Sequence, residues 1–222
     1  MQETTRKPAE INSGSHSQTN SQKEQIQRLK TFTVPELCDG AGLYHAMDYR
    51  IKPQVGETKI AGPAVTVEVP DGDGGIVADG ILKLREGDVL VIAGKGNCSC
   101  SYWGDHRSIC ASMQKAAGVV VDGGFRDLEG CEAAGFPVYA RGLTCGTALK
   151  TGAGAINVPV SCGGVVVNPG DFIIGDVNGV CVIRPEEAEA VMERALEKRT
   201  RQEAVLEEMR RTGRVIPRIG RK

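Results

Sequence analysis

The chain has few aromatic side chains: 4% of its 222 residues, with a single tryptophan. Platforms that stack the bases of single-stranded RNA are therefore not expected. It also lacks a charge excess. Lys and Arg number 27 against 28 Asp and Glu, leaving a formal charge of -1, too little to gather nucleic acid or an anionic membrane. No run approaches the roughly 20 apolar residues of a membrane span, and the opening MQETTRKPAE has no apolar stretch of the secretory kind. The expected address is the cytoplasm, with small molecules or proteins as partners. Eight cysteines are scattered without a repeated CxxC framework and read as reduced thiols. The close pair Cys98 and Cys100 has no second pair and no HxxxH nearby, a poor basis for structural zinc.

Glycine is what the chain has in quantity, 29 residues, alongside 41% hydrophobic content. That balance predicts one domain with an aliphatic core, short strands and many tight turns. Residues 1–24, rich in Ser, Gln, Asn and Thr, are expected to be a disordered tail containing His16. The domain is expected over residues 25–213, followed by a basic tail, 214–222. A short helix is predicted through Ile26 and Leu29, and a helical turn over 34–39. Strands are predicted at 64–69 and 88–93, with a helix over 76–84 between them and a loop over 94–102 after them. The spacing of Ile109, Cys110, Met113, Ala116 and Ala117 predicts one apolar face of a helix over 105–117, stopped by Gly118. Val119, Val120 and Val121 then form a buried strand running into a polar loop, 122–127. Short strands follow at 137–140, 164–167, 171–174 and 179–183. A long helix starts at Pro185, turns Ala188, Val191, Met192, Ala195 and Leu196 inward, and ends near Gly213.

Two glycine-rich stretches fail as ligand loops. GAGAIN at 152–157 runs on into an extended, proline-bearing segment where a dinucleotide fingerprint needs a helix. DGDGG at 71–75 begins like a calcium loop, but the twelfth position is Leu82, not an acid. The segment that survives is Gly104-Asp105-His106-Arg107, followed by Arg126-Asp127. Twenty residues lie between Asp105 and Arg126, enough for one helix out and one strand back, so both can reach the same sheet edge. Helix-start amides bind carboxylates, an Arg grips one with a planar fork, and an adjacent Asp carries a divalent cation. The same residues also suit a helix cap and a surface ion pair, and spacing leaves both readings open.

Four motifs in order, VVVDGGFRD at 119–127, GFPVYARG at 135–142, NVPV at 157–160, and NPGD at 168–171 leading to Gly175-Asp176 and Gly179-Val180, resemble a known family. It is the family of 4-hydroxy-4-methyl-2-oxoglutarate aldolases and regulators of ribonuclease E activity, and the resemblance runs from Thr33 to Ala190. It implies an α/β class, swivelling β/β/α domain with short central strands, flanking helices and a long C-terminal helix. It further implies a homotrimer or a dimer of trimers with sites between subunits.

Within such a family the aspartate at Asp105 marks the aldolases. The resemblance implies that Arg126 binds the substrate's keto-acid end, Asp127 anchors Mg²⁺ or Mn²⁺, and the main chain of Gly104 to Arg107 holds a carboxylate. Asp105 is expected to orient Arg126, and Glu186 or Glu187 of a neighbouring subunit to hold a water. The implied reaction is metal-dependent cleavage of a 4-hydroxy-2-oxo diacid to pyruvate, with oxaloacetate decarboxylation alongside. Two departures stand out: His106 and Arg107 replace aliphatic residues, and Gly130 replaces an acid, with Glu129 one place earlier. A rival mechanism uses Lys95 as a Schiff-base nucleophile, although nothing near it predicts a depressed pKa. The alternative of another class is a non-catalytic ring that binds and inhibits an RNA-processing enzyme. His45 is expected to be a satisfied local polar residue.

Overall fold

The computed structural model describes residues 20–42, 45–56 and 59–218. Two helices, α1 (Asn20–Leu29) and α2 (Val34–Ala41), precede strands β1 (Lys52–Val55) and β2 (Ile60–Glu68). Strand and helix then alternate through α3 (Val77–Ile81), β3 (Val89–Trp103), α4 (Asp105–Met113), β4 (Gly118–Phe125), α5 (Leu128–Ala134) and β5 (Val138–Leu143). Short strands β6 (Ala155–Ile156), β7 (Val160–Cys162), β8 (Val165–Val167), β9 (Phe172–Asp176) and β10 (Gly179–Ile183) follow. A 3₁₀ turn, Pro185–Glu187, then leads into the long helix α6 (Ala188–Thr212).

The main sheet runs β1-β5-β4-β3-β2-β9-β10, with β6 on β2; β7 and β8 pair separately. Neighbours from β2 to β5 are parallel, so α3, α4 and α5 are the crossovers that return the chain. The sheet curls into a nearly closed barrel, and Lys52 Nζ on β1 donates to the carbonyl of Asn178 beside β10. Both faces of the central strands are buried, as parallel pairing requires. Leu90 and Ile92 of β3 with Val119 and Val121 of β4 pack under the crossover helices. Val89, Val91 and Val120 face the barrel interior with Tyr139 and Ile173. A third apolar layer joins Leu29, Leu37, Val191, Met192 and Ala195 to Phe172 and Ile174, holding α1, α2 and α6 against the sheet.

Several expectations need correction. The central strands are long, not short: β2, β3 and β4 have nine, fifteen and eight residues. The predicted loop over 94–102 is ladder, with register shifts after Ile92, Asn97 and Ser101. Glycine makes this possible, since a Cβ at Gly123 would stand 2.8 Å from Asn97 O and 2.9 Å from the Tyr102 ring. Helix α4 stops at Met113, and Lys115 takes a left-handed φ of 56°. Its inward face is Ser108 and Ala111, while Ile109 and Met113 are 49% and 80% exposed. Ser108 Oγ accepts from Trp103 Nε1 at 2.8 Å, so two small side chains draw the helix onto the tryptophan. Helix α5, unforeseen, is closed by Gly135 at φ 62°. Helix α1 starts at Asn20, inside the segment expected to be tail. Residues 214–218 of the expected basic tail follow α6 without regular structure, and residues 1–19 and 219–222 lie outside the described residues.

The start of α2 carries an electrostatic lock. Thr33 Oγ1 accepts from Glu36 N, and Glu36 Oε2 accepts from Thr33 N at 2.7 Å, a capping box. Arg199 of α6 grips the same carboxylate at 2.7 and 2.9 Å. That bond, above all, pulls the Glu36 carboxyl down from 4.5 to about 2, against its burial. A depressed carboxyl contributes stability above its unfolded pKa and loses it as pH falls toward the folded value. Glu36→Gln should therefore cost roughly 1–2 kcal/mol at pH 7, allowing for solvent screening of a partly exposed pair. Urea unfolding should find that gap more than halved at pH 3; a gap that does not change with pH would refute the lock.

Candidate active site

The registered pair Trp103↔Phe125 brings the ends of β3 and β4 side by side, and Arg126 N donates to Trp103 O at 3.1 Å. Gly104-Asp105 and Arg126-Asp127 thus leave neighbouring strands together, at the carboxyl ends where α/β sheets carry their sites. They line one cleft of about 230 Å³ with His106, Arg107 and the segment 147–150.

Asp127 has φ 59° and ψ 48°, the left-handed region that few non-glycine residues occupy. It stands at the N-cap position of α5, yet its side chain makes no capping bond. Instead Oδ2 accepts from Arg126 Nε at 3.1 Å, with both side chains about 40% exposed. Gly104 leaves room for this carboxylate, since a Cβ there would lie 2.8 Å from Asp127 Oδ2.

Asp105 is the first residue of α4, and Gly104 takes the cap position expected of it. Its Oδ1 accepts from His106 N at 2.6 Å. The expected support of Arg126 by Asp105 is replaced by the Arg126–Asp127 bond. A Cβ at Gly130 would stand 2.6 Å from the Asp105 Cβ and 2.9 Å from its Oδ2. An acid at that position is therefore incompatible with this placement of Asp105, which gives the departure at Gly130 a steric meaning.

His106 is exposed at the cleft, with Nδ1 3.9 Å from Cys110 Sγ. Arg107 lines the cleft, but its guanidinium donates to two main-chain carbonyls: Gly74 O at 2.6 Å and Tyr102 O. Burial, helped by the charge of Arg126, lowers its pKa. The sequence reading missed Lys150, which reaches the cleft on the far wall with Thr147 and Leu149. A lone Lys in a Thr- and Gly-rich stretch, 24 positions past Arg126, carries no signal of that placement.

Lys95 lies elsewhere. It sits at φ 55° in β3 and lines a separate cavity with Asp122 and Arg141, an ion pair that joins β4 to β5. Glu186 and Glu187 lie in the turn before α6 and do not line the cleft of their own chain. His45 Nδ1 is 3.0 Å from Val182 O, a satisfied polar contact. Among the described residues no three His, Cys, Asp or Glu side chains cluster to hold a metal, and no helix is long and apolar enough to cross a membrane.

A family model described as RraA-like, Aldolase/RraA, matches residues 34–182. A protein of Halalkalibacterium halodurans, provisionally named a 4-hydroxy-4-methyl-2-oxoglutarate aldolase, is 40% identical over 180 residues, 81% of this chain and 84% of that one. The RNA-processing inhibitor RraA from Thermus thermophilus has a similar structure, with TM-score 0.64 and 27% identity over 69% of this chain and 93% of that one. A Streptomyces coelicolor member of the RNase ES inhibitor RraA family gives TM-score 0.71 and 25% identity over 85% and 96%. Sequence motifs, fold and matched residues converge on one conclusion: the chain belongs to the RraA-like family of aldolases and RraA proteins.

Proposed function

We propose that this protein is a divalent-metal-dependent aldolase. It would cleave 4-hydroxy-4-methyl-2-oxoglutarate, or a related 4-hydroxy-2-oxo diacid, to pyruvate, and would also decarboxylate oxaloacetate. The observation that carries this reading is Asp127, an N-cap residue in left-handed geometry whose carboxylate bonds Arg126 at the cleft and leaves its own helix uncapped. Backbone strain of this kind collects at functional sites.

The donor set fits a hard cation. Asp127 and Asp105 supply oxygen only, and Mg²⁺ characteristically binds one or two carboxylates and keeps several waters. Asp127 would hold the ion, with Mn²⁺ as a substitute. When bound, the ion would supply Lewis-acid stabilisation of charge on the carboxylate and keto oxygens of the substrate. Arg126 has Nε engaged by Asp127, which orients the guanidinium while its terminal nitrogens address the keto oxygen. As the C3–C4 bond breaks, charge grows on that oxygen, and a fixed guanidinium stabilises it most at that moment. Helix geometry leaves the first-turn amides of α4 without main-chain partners inside the helix, and with the His106 amide taken by Asp105, those of Asp105 and Arg107 suit the substrate carboxylate. Asp105 holds that turn in shape through the His106 amide.

Assembly as a homotrimer or a dimer of trimers, with the cleft near a subunit boundary, is part of the proposal. The apolar face expected to bury α4 includes Ile109 and Met113, which stay exposed in the single chain, as does Leu149 of the cleft wall at 66%. A neighbouring copy would cover them.

Pyruvate should appear from 4-hydroxy-4-methyl-2-oxoglutarate with Mg²⁺ or Mn²⁺, cease with chelator, and return when metal is restored. Turnover surviving chelator, with borohydride trapping on Lys95, would transfer the chemistry to a Schiff base. The likeness to an RNA-processing inhibitor supports the second reading, a ring-shaped regulator of an RNA-processing enzyme. Inhibition of a ribonuclease without any metal-dependent turnover would favour it.

A further inference from the structure

Arg107 invites a substrate-binding role because it is a cation at the cleft, but its bonds assign it other work. Nη2 donates to Gly74 O at 2.6 Å and Nη1 to Tyr102 O. Gly74 N in turn donates to Leu149 O at 2.9 Å, and Leu149 N to Gly72 O at 2.8 Å. Gly72 N donates to Tyr102 Oη at 3.1 Å, which closes the circuit. The ring of bonds ties α4 and the end of β3, through the turn at 72–75, to the cleft's far wall.

The other flank of that wall is fixed as well. The buried Asp73 carboxylate accepts from Gly75 N at 2.8 Å, Thr151 N at 3.1 Å and Thr151 Oγ1. Lys150 therefore stands between two anchored residues, Leu149 and Thr151. It is exposed at the cleft and has no hydrogen bond or ion pair among the described residues. Of the three cations lining the cleft, Arg107 is committed to carbonyls, and Arg126, held by Asp127, is assigned to the keto-acid end. Lys150 is left to meet a second anionic group.

We propose that Arg107 is a positioning residue. It fixes the wall at 147–150 and with it Lys150, so that the cleft prefers substrates bearing a second carboxylate at the end remote from the keto acid. The proposal rests on the aldolase reading for its substrate and on the bond circuit for its mechanism, and the two can be tested apart.

The kinetic comparison uses 4-hydroxy-4-methyl-2-oxoglutarate and 4-hydroxy-2-oxopentanoate, which shares the keto-acid end and lacks the far carboxylate. Arg107→Leu should lower the diacid preference, measured as the ratio of kcat/KM values, by about tenfold, mostly through KM for the diacid. That is the scale of one partly solvated charge contact. Lys150→Met should lower the ratio similarly, and the double variant should be no worse than either, because both act on one contact. Hydrogen exchange in the metal-loaded enzyme should show faster exchange at the Gly74 and Leu149 amides in Arg107→Leu and not in Lys150→Met. Arg107→Lys, which retains a cation able to reach one carbonyl, should fall between and serves if Arg107→Leu does not fold. Equal losses on both substrates with unchanged exchange at Leu149 would overturn the proposal and return Arg107 to the keto-acid end. An unchanged preference would overturn the selectivity. If the parent turns over neither substrate, the aldolase reading falls together with the selectivity, while exchange at Leu149 still decides the clamp.

Discussion

Asp127→Asn is expected to lower kcat by about 10²–10³ at saturating Mg²⁺, the loss typical of removing one group that stabilises transition-state charge. The substitution is unusually clean because asparagine tolerates the left-handed conformation that Asp127 adopts at φ 59°. The backbone has no reason to move. The side chain caps no helix and its ion pair with Arg126 is about 40% exposed, so the stability change should stay within about 1 kcal/mol. A large kinetic effect on a nearly unaltered fold separates a metal-holding carboxylate from a surface ion pair. Steady-state kinetics over a Mg²⁺ titration, paired with urea unfolding, make the measurement. Near-parental kcat with parental metal dependence would take Asp127 out of the active site.

Arg126→Lys should be almost as damaging. Lysine keeps the charge but replaces a planar five-donor fork with a compact ammonium. It can neither hold the Asp127 carboxylate through Nε nor present parallel N–H groups to the keto acid. Were Arg126 only a surface partner of Asp127, the change would alter stability by well under about 1 kcal/mol and leave kinetics alone. If it binds the keto acid in the ground state and the enolate oxygen as charge develops, KM should rise and kcat should fall, with kcat down about 10²-fold. Aldol cleavage and oxaloacetate decarboxylation both generate the pyruvate enolate, so both activities should drop together. A loss confined to one substrate would show that the reactions do not share that intermediate.

The parts of this molecule that could be read from sequence are those set by local chemistry. Alternating and continuous Val and Ile runs identify the buried stretches of β2 and β4, and Pro185 with two glutamates announces the helix that becomes α6. The distance from Asp105 to Arg126 foretells that they share an edge, and the cleft bears this out. What was hidden depends on tertiary contact. The stretch from Gly94 to Tyr102 looks like a loop because glycine is a poor strand former, yet its missing side chains are what let β3 and β4 stay close. Helix α4 misled because apolar count and burial diverge: Ser108 and Ala111 face Trp103 while Ile109 and Met113 face out. Arg107 entered the sequence reading through its main chain, and the carbonyl partners of its guanidinium, Gly74 and Tyr102, are not foretold by sequence spacing.

The pairing of Trp103 with Phe125 has a bearing on how the site tolerates change over time. Both halves of the candidate site hang from the last rung of one β-ladder, and the body of α4 with the turn after it is the return path between them. The interval of twenty residues that betrays the site is thus a by-product of that path's length. Insertions or deletions in the turn at 114–117, at the opposite end of α4 from the cleft, would alter the interval and leave Asp105 and Arg126 where they are. A change of register between β3 and β4 would keep the count and destroy the site. In descendants of this chain, strand alignment rather than sequence distance should be the heritable trait that keeps Asp105 facing Arg126.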